Sequence, residues 1–140
     1  MKHIASVLVL AVVMVGCQAT RADPQVKLTS GDYALLVGRW EGDFVSKTLE
    51  YNVAWETKLT LDVFKNERGR FSAAKRNQKW GTIVKIERGV VILHIYRRDV
   101  EFVYTQNDDT ATLSANYEDK FKGDPRIRYV TLKKRVAPSQ

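Results

Sequence analysis

Apolar and polar positions alternate through most of the chain after residue 50. "YNVAWETKLTLDVF" sets Val53, Trp55, Thr57, Leu59, Leu61 and Val63 on one face and Asn52, Glu56, Lys58, Thr60 and Asp62 on the other. Successive side chains of a strand point to opposite faces, so this pattern predicts a half-buried strand. "KWGTIVKIE" groups Trp80, Val84 and Ile86 in the same way, "VEFVYTQ" groups Val100, Phe102 and Tyr104, and "TATLSANY" groups Ala111, Leu113, Ala115 and Tyr117. "GVVILHIYRR" is apolar on both faces at its start and reads as a central or partly covered strand. "RIRYVTLKK" alternates with a slip between Tyr129 and Val130. Eight strands are predicted, near 38–46, 51–64, 70–76, 79–87, 90–97, 100–106, 110–117 and 126–135. Helical spacing occurs only in "SGDYALLVG", where Tyr33, Leu36 and Val37 fall at i, i+3 and i+4 and Ser30 or Asp32 is placed to cap a turn or two.

The connections are short and rich in Gly, Asn and Asp: "KNERG", "KRNQ", "ERG", "RRD", "QNDD" and "EDKFKGDP". Short loops pair neighbouring strands antiparallel. Eight short strands with one apolar face close most economically into a barrel, which removes exposed edges. The expected fold class is therefore all-β, an eight-stranded antiparallel up-and-down barrel over 31–136 with a short N-terminal helical turn and a 137–140 tail. A two-sheet sandwich is the structural competitor. "KNERGRF" and "KIERGVV" echo each other twenty residues apart, as two hairpins with one turn type would.

"VGRWEGDF" sets Gly38 and Trp40 at the start of the first strand, after the helical turn. This G-x-W before a meander resembles the lipocalin-like, or calycin, barrels over residues 30–135. The resemblance implies that the tryptophan closes one barrel end under a basic residue of the last strand. First–last pairing brings Lys133, Lys134 or Arg135 there, and the closure set is taken as Gly38, Trp40 and Arg135. The chain is shorter than a typical lipocalin, leaves no room for the family's helix after the last strand, and lacks the disulfide common in secreted members. Shorter strands enclose less volume.

The N-terminus tells a different story. After Lys2, residues 4–16 form a charge-free run of 13 residues, mostly Val, Leu and Ala. A membrane span needs roughly 20. A charged start and a short apolar core instead describe an export signal over 1–16. The run ends in "MVGC", Met14 to Cys17, which resembles the lipobox of bacterial lipoproteins. That resemblance implies cleavage between Gly16 and Cys17 and acylation of the Cys17 sulfur, which makes it a membrane anchor. Its alternatives are an intermolecular disulfide through this single cysteine or an uncleaved anchor. Gln18, where aspartate would retain such a protein in the inner membrane, points to the outer membrane, facing the periplasm. Residues 17–30 read as the lipidated cysteine and a flexible tether, and thirteen residues reach at most about 40 Å.

Composition adds limits. The net charge is +7, and the leader carries only one lysine of it. Between Pro125 and Gln140 no acid occurs, while Arg126, Arg128, Lys133, Lys134 and Arg135 do. A basic strip suits phosphates, but an exported chain meets anionic headgroups or envelope polymers rather than nucleic acid. The plain alternative is a solvated strand face. His94 is the only histidine beyond the leader, so no histidine metal cluster forms, no cofactor is implied, and no nucleophile-elbow pattern accompanies a serine. Asp108 and Asp109 read as turn residues. The chain is expected not to be an enzyme.

Two functions remain. The barrel is expected to bind an apolar or amphipathic small molecule in the cell envelope, through inward-facing Trp55, Leu59, Leu61, Val84, Phe102, Tyr104 and Leu113. Alternatively, a filled barrel serves as a protein-interaction or inhibitor module, contacting an envelope protein through its loops or the basic C-terminal strand.

Overall fold

The computed structural model describes residues 25–136. Cys17, the expected export signal over 1–16, the first part of the expected tether and the 137–140 tail lie outside the described residues. Eight antiparallel strands follow one another around a closed barrel: β1 (Gly38–Lys47), β2 (Val53–Val63), β3 (Arg68–Ala73), β4 (Gln78–Glu87), β5 (Val90–Ile95), β6 (Arg98–Gln106), β7 (Thr110–Phe121) and β8 (Asp124–Arg135). β8 returns to pair with β1, from Glu41↔Lys133 to Lys47↔Ile127. The sandwich alternative is thereby set aside. All eight strands and the buried core lie within 25–136, so this segment carries its own complete core.

The expected helical turn is a 3₁₀ turn, Ser30–Leu35. Its N-cap is Thr29 rather than Ser30 or Asp32. The Asp32 carboxylate accepts from the Thr29 backbone N–H at 2.8 Å and from its hydroxyl at 3.1 Å. Leu36, just past the turn, is fully buried.

The segment before it is not a free tether. Val26 donates its N–H to the Tyr104 carbonyl at 3.0 Å, Leu28 bridges Gly89, and the Leu28 side chain is buried. Residues 25–29 thus lie across one barrel end, and among the described residues the folded unit takes in 25–30 as well as 31–136. Burying Leu28 outweighs the freedom lost because the segment's backbone finds partners on β6, through Val26, and in the β4–β5 turn, through Leu28.

Three further expectations are corrected. β7 and β8 pair without a slip from Thr110↔Arg135 to Phe121↔Asp124, so Tyr129 and Val130 keep strict alternation. The ribbon runs four residues past the predicted end of β7, because Lys122 (φ 50°) and Gly123 (φ 86°) close it as a two-residue turn. The two echoing hairpins differ in turn type. Glu87↔Val90 is closed by Arg88 and Gly89, both at positive φ, whereas the β2–β3 loop takes its left-handed residue at Glu67. Gly69 instead lies within β3, where a Cβ would crowd the Asp62 carbonyl, Thr82 and Leu61.

One register shift matters later. Ser46 opposes Trp55, but Lys47 opposes Val53, so Ala54 is the extra residue of a bulge. Val53 therefore leaves the face of Trp55 and is 55% exposed.

Candidate functional site

The barrel has two unlike ends. At the N-terminal end of β1, Trp40 is fully buried and donates its indole N–H to the Leu36 carbonyl at 2.8 Å. Its ring meets Tyr104 edge-on at 6.3 Å. The basic residue above it is Lys134, not Arg135: the Lys134 ammonium lies 5.1 Å from the Trp40 ring centre and donates to the Leu35 (2.5 Å) and Val37 (2.8 Å) carbonyls. Parity decides this. Residues 130, 132 and 134 of β8 face inward, while Lys133 and Arg135 face solvent. Gly38, at φ 123°, adopts a backbone conformation that a side chain disfavours, and the Lys134 chain packs against it. This end is a plug.

The middle is filled. Leu59, Leu61, Val84, Phe102, Tyr104 and Leu113 are each at most 1% exposed and pack into one cluster with Trp40, Phe71 and Leu132. These six candidate ligand residues do not line the open end of the barrel; they are core. Trp55 alone of the predicted set reaches open space.

That space is the opposite end, where the strands stop at the loops 48–52, 74–77, 96–97 and 122–123. A cavity of about 370 Å³ opens there among Phe44, Ser46, Trp55, Tyr96, Arg76, Asp119, Phe121, Arg126 and Arg128. Its floor is aromatic. Phe44 meets Trp55 at 5.6 Å and Tyr96 at 5.5 Å, both edge-on, and Tyr96 lies 4.8 Å from Trp80. Tyr96 gets there through an unusual backbone: it and Arg97 close the β5–β6 hairpin at φ 45° and 72°, a conformation costly for a bulky side chain.

Arg128 is the charged member nearest the core. Its side chain is only 13% exposed, its guanidinium donates to the Ser46 hydroxyl at 2.6 Å, and it lies 5.8 Å from the Phe44 ring. Its Nε is buried without a hydrogen-bond partner, with the Asp119 carboxylate 3.9 Å away. A buried charge with an unused donor is costly unless something accepts from it. Arg126 and Arg76 line the same mouth, and Arg76 enters none of the ion pairs or side-chain hydrogen bonds of the described residues. Burial pushes the phenol of Tyr117, the β7 partner of Arg128, up to about 12, opposed by Arg128 and Arg98 and reinforced by Asp119. Burial also raises Tyr96, against Arg128 and Arg76. The mouth can therefore cover an apolar body with rings and meet an anion with guanidinium groups.

The basic C-terminal strip does not form one face. Arg128 and Lys134 point inward at opposite barrel ends, Arg126 lines the mouth, and Lys133 and Arg135 point out. Strict alternation carried that split, but only with the register known. Phe44, Tyr96 and Arg76 were missed because β1 is interrupted by Gly42 and Asp43, and the other two sit in turns.

His94 lies on the outer wall, its Nδ1 3.1 Å from Asp99, beside a groove lined by Thr82, Ile83 and Ile92. No cluster of three or more His, Cys, Asp or Glu among the described residues is placed to hold a metal ion. No protein-family model, curated protein or solved structure matches this chain.

Proposed function

We propose that this protein is a lipid-anchored envelope lipoprotein of lipocalin-like type that binds an amphipathic small molecule with an anionic head at the barrel mouth. The observation that carries the binding reading is the buried, under-partnered Arg128 set in an aromatic floor. The mouth volume is at the small end of the range for small-molecule sites. It suits one head and the first part of a chain or ring, with the remainder outside. The anchoring reading rests on "MVGC" and the apolar run before it. The chemistry proposed for the mouth is binding.

Titration of residues 25–140 with alkyl carboxylates, alkyl phosphates and alkyl trimethylammonium salts of equal chain length tests this, read by tryptophan fluorescence. Anionic heads are expected to bind at least about tenfold more tightly than cationic ones, and Arg128→Gln to remove the preference. Equal affinity for all heads, or none for any, overturns it.

The filled interior favours a second reading, a non-enzymatic interaction module that uses the mouth and its loops to grip a partner protein. Under that reading no amphiphile in the panel binds. An envelope protein is instead retained by the wild-type chain and lost by Trp55→Ala and Arg128→Gln.

A further inference from the structure

The rim around the mouth has a composition unlike the rest of the surface. Five large apolar side chains are more than half exposed: Leu49 (56%), Tyr51 (66%), Val53 (55%), Phe121 (51%) and Ile83 (51%). The first four crown the mouth, Leu49 and Tyr51 on the β1–β2 loop, Val53 at the start of β2 and Phe121 at the end of β7, while Ile83 lies on the wall. The two loops are neighbours, because β8 pairs with β1, and Leu49 shares a groove with Lys120, Pro125 and Arg126.

These side chains are held outward by structure. Thr48 and Tyr51 close a turn through Tyr51 N–H to the Thr48 carbonyl at 2.9 Å, which sets Leu49 and Glu50 at its tip. Tyr51 takes φ 64°. The bulge at Ala54 turns Val53 away from the core face.

Charge follows the same pole. Lys47, Lys75, Arg76, Lys120, Lys122 and Arg126 surround the mouth, Arg97 and Arg98 add to them, and Glu50, Asp99, Glu118, Asp119 and Asp124 oppose, eight cations against five acids. By the same count the plugged end carries Lys27, Arg39, Lys65, Arg68, Arg88, Lys134 and Arg135 against Asp32, Asp62, Glu67, Glu87, Asp108 and Asp109, seven cations against six acids. Exposed apolar tips inside a ring of Lys and Arg are the chemistry of interfacial binding. The tips enter the headgroup boundary, and the cations meet anionic lipid.

We infer that the mouth rim docks on an anionic bilayer surface, with Leu49, Tyr51, Val53 and Phe121 entering the interface and the surrounding lysines and arginines on the headgroups. The inference does not depend on a ligand in the mouth. It is also separate from any acyl anchor, since the chain enters the barrel at Gln25, at the plugged end. A soluble acidic polymer would meet the charge but leave the four apolar tips in water, whereas an anionic bilayer meets both.

The test uses residues 25–140, which hold the whole core and lack Cys17, so that acylation cannot carry the result. Sedimentation with vesicles of phosphatidylcholine alone or with about one third phosphatidylglycerol measures partitioning. The expected result is binding to the anionic vesicles only, weakened as salt rises toward about 0.5 M. A Leu49→Ser, Tyr51→Ser double variant is expected to lose about tenfold, while Phe64→Ser, an exposed apolar side chain at the other pole, loses nothing. Thermal melts check that the variants remain folded. Equal binding to both vesicle types, an equal loss in Phe64→Ser, or retention on an acidic polymer without retention on vesicles overturns the inference.

Discussion

Replacing Lys134 by methionine tests the plug at the Trp40 end. The substitution keeps an unbranched apolar stem against Gly38 and removes only the ammonium. That ammonium donates to two carbonyls, at 2.5 and 2.8 Å, and caps the Trp40 ring at 5.1 Å. Hydrogen bonds from charged donors contribute about 1.5–3 kcal/mol each when shielded, and the ring contact ~0.5–2 kcal/mol. The group is partly solvated, so water replaces some of this when the charge is lost. Burial already holds the Lys134 pKa below its ordinary value, which shows that its charged form carries a desolvation cost. A net loss of about 2–3 kcal/mol is expected, equivalent to a fall of about 10 °C in Tm for a domain of this size. Urea unfolding of residues 25–140, followed by tryptophan fluorescence, measures it. Arg135→Met is the paired control. Its side chain faces solvent one position along the same strand, and its cost is expected within ~0.5 kcal/mol. If the two variants lose the same amount, or Lys134→Met loses less than ~0.5 kcal/mol, the assignment of Lys134 to the plug is wrong.

Gly42→Ala is expected to cost at least ~2 kcal/mol, because a Cβ there would overlap the Thr131 carbonyl across the β1–β8 seam; Gly81→Ala, where a Cβ meets only the Gly69 carbonyl at 3.9 Å, is expected to cost nothing in the same denaturation experiment. Alkaline stability carries a signature of Tyr117, whose pKa is raised from 10.0 to about 12. Between those values the unfolded chain has lost the proton and the folded chain keeps it, so stability falls as pH rises through that window. Tyr117→Phe is expected to make the fall shallower without removing it, because burial raises Tyr96 and Tyr104 too; an unchanged slope in urea titrations across the window refutes this. In cells, Cys17→Ser is expected to abolish incorporation of labelled palmitate, and label retained by that variant disproves acylation at Cys17.

Much of the barrel was legible one segment at a time. Strand alternation is a local property, and in "KLTLDVF" or "EFVYTQ" it survives intact from sequence to core. The plug was legible as a motif, since Gly38 must supply a positive φ and Trp40 must be covered. The mouth was not. Phe44, Arg128 and Tyr96 lie 84 residues apart at the extremes and meet only because β8 closes on β1 and the β5–β6 turn folds Tyr96 back over the opening.

The sequence by itself determined the number of strands, their antiparallel order and the inward face of β2, β4, β6 and β7, because each follows from neighbours along the chain, and its single cysteine excludes a disulfide within the chain. Tertiary structure decided which inward residues are core and which are site. Leu59 and Trp55 share a face of β2, yet one is sealed and the other lines a cavity, and the difference is height in the barrel. Height depends on register around eight strands, on one bulge at Ala54, and on which end the segment from Gln25 covers. It also separated five basic residues that look like one strip, sending Lys134 to the plug and Arg128 to the mouth.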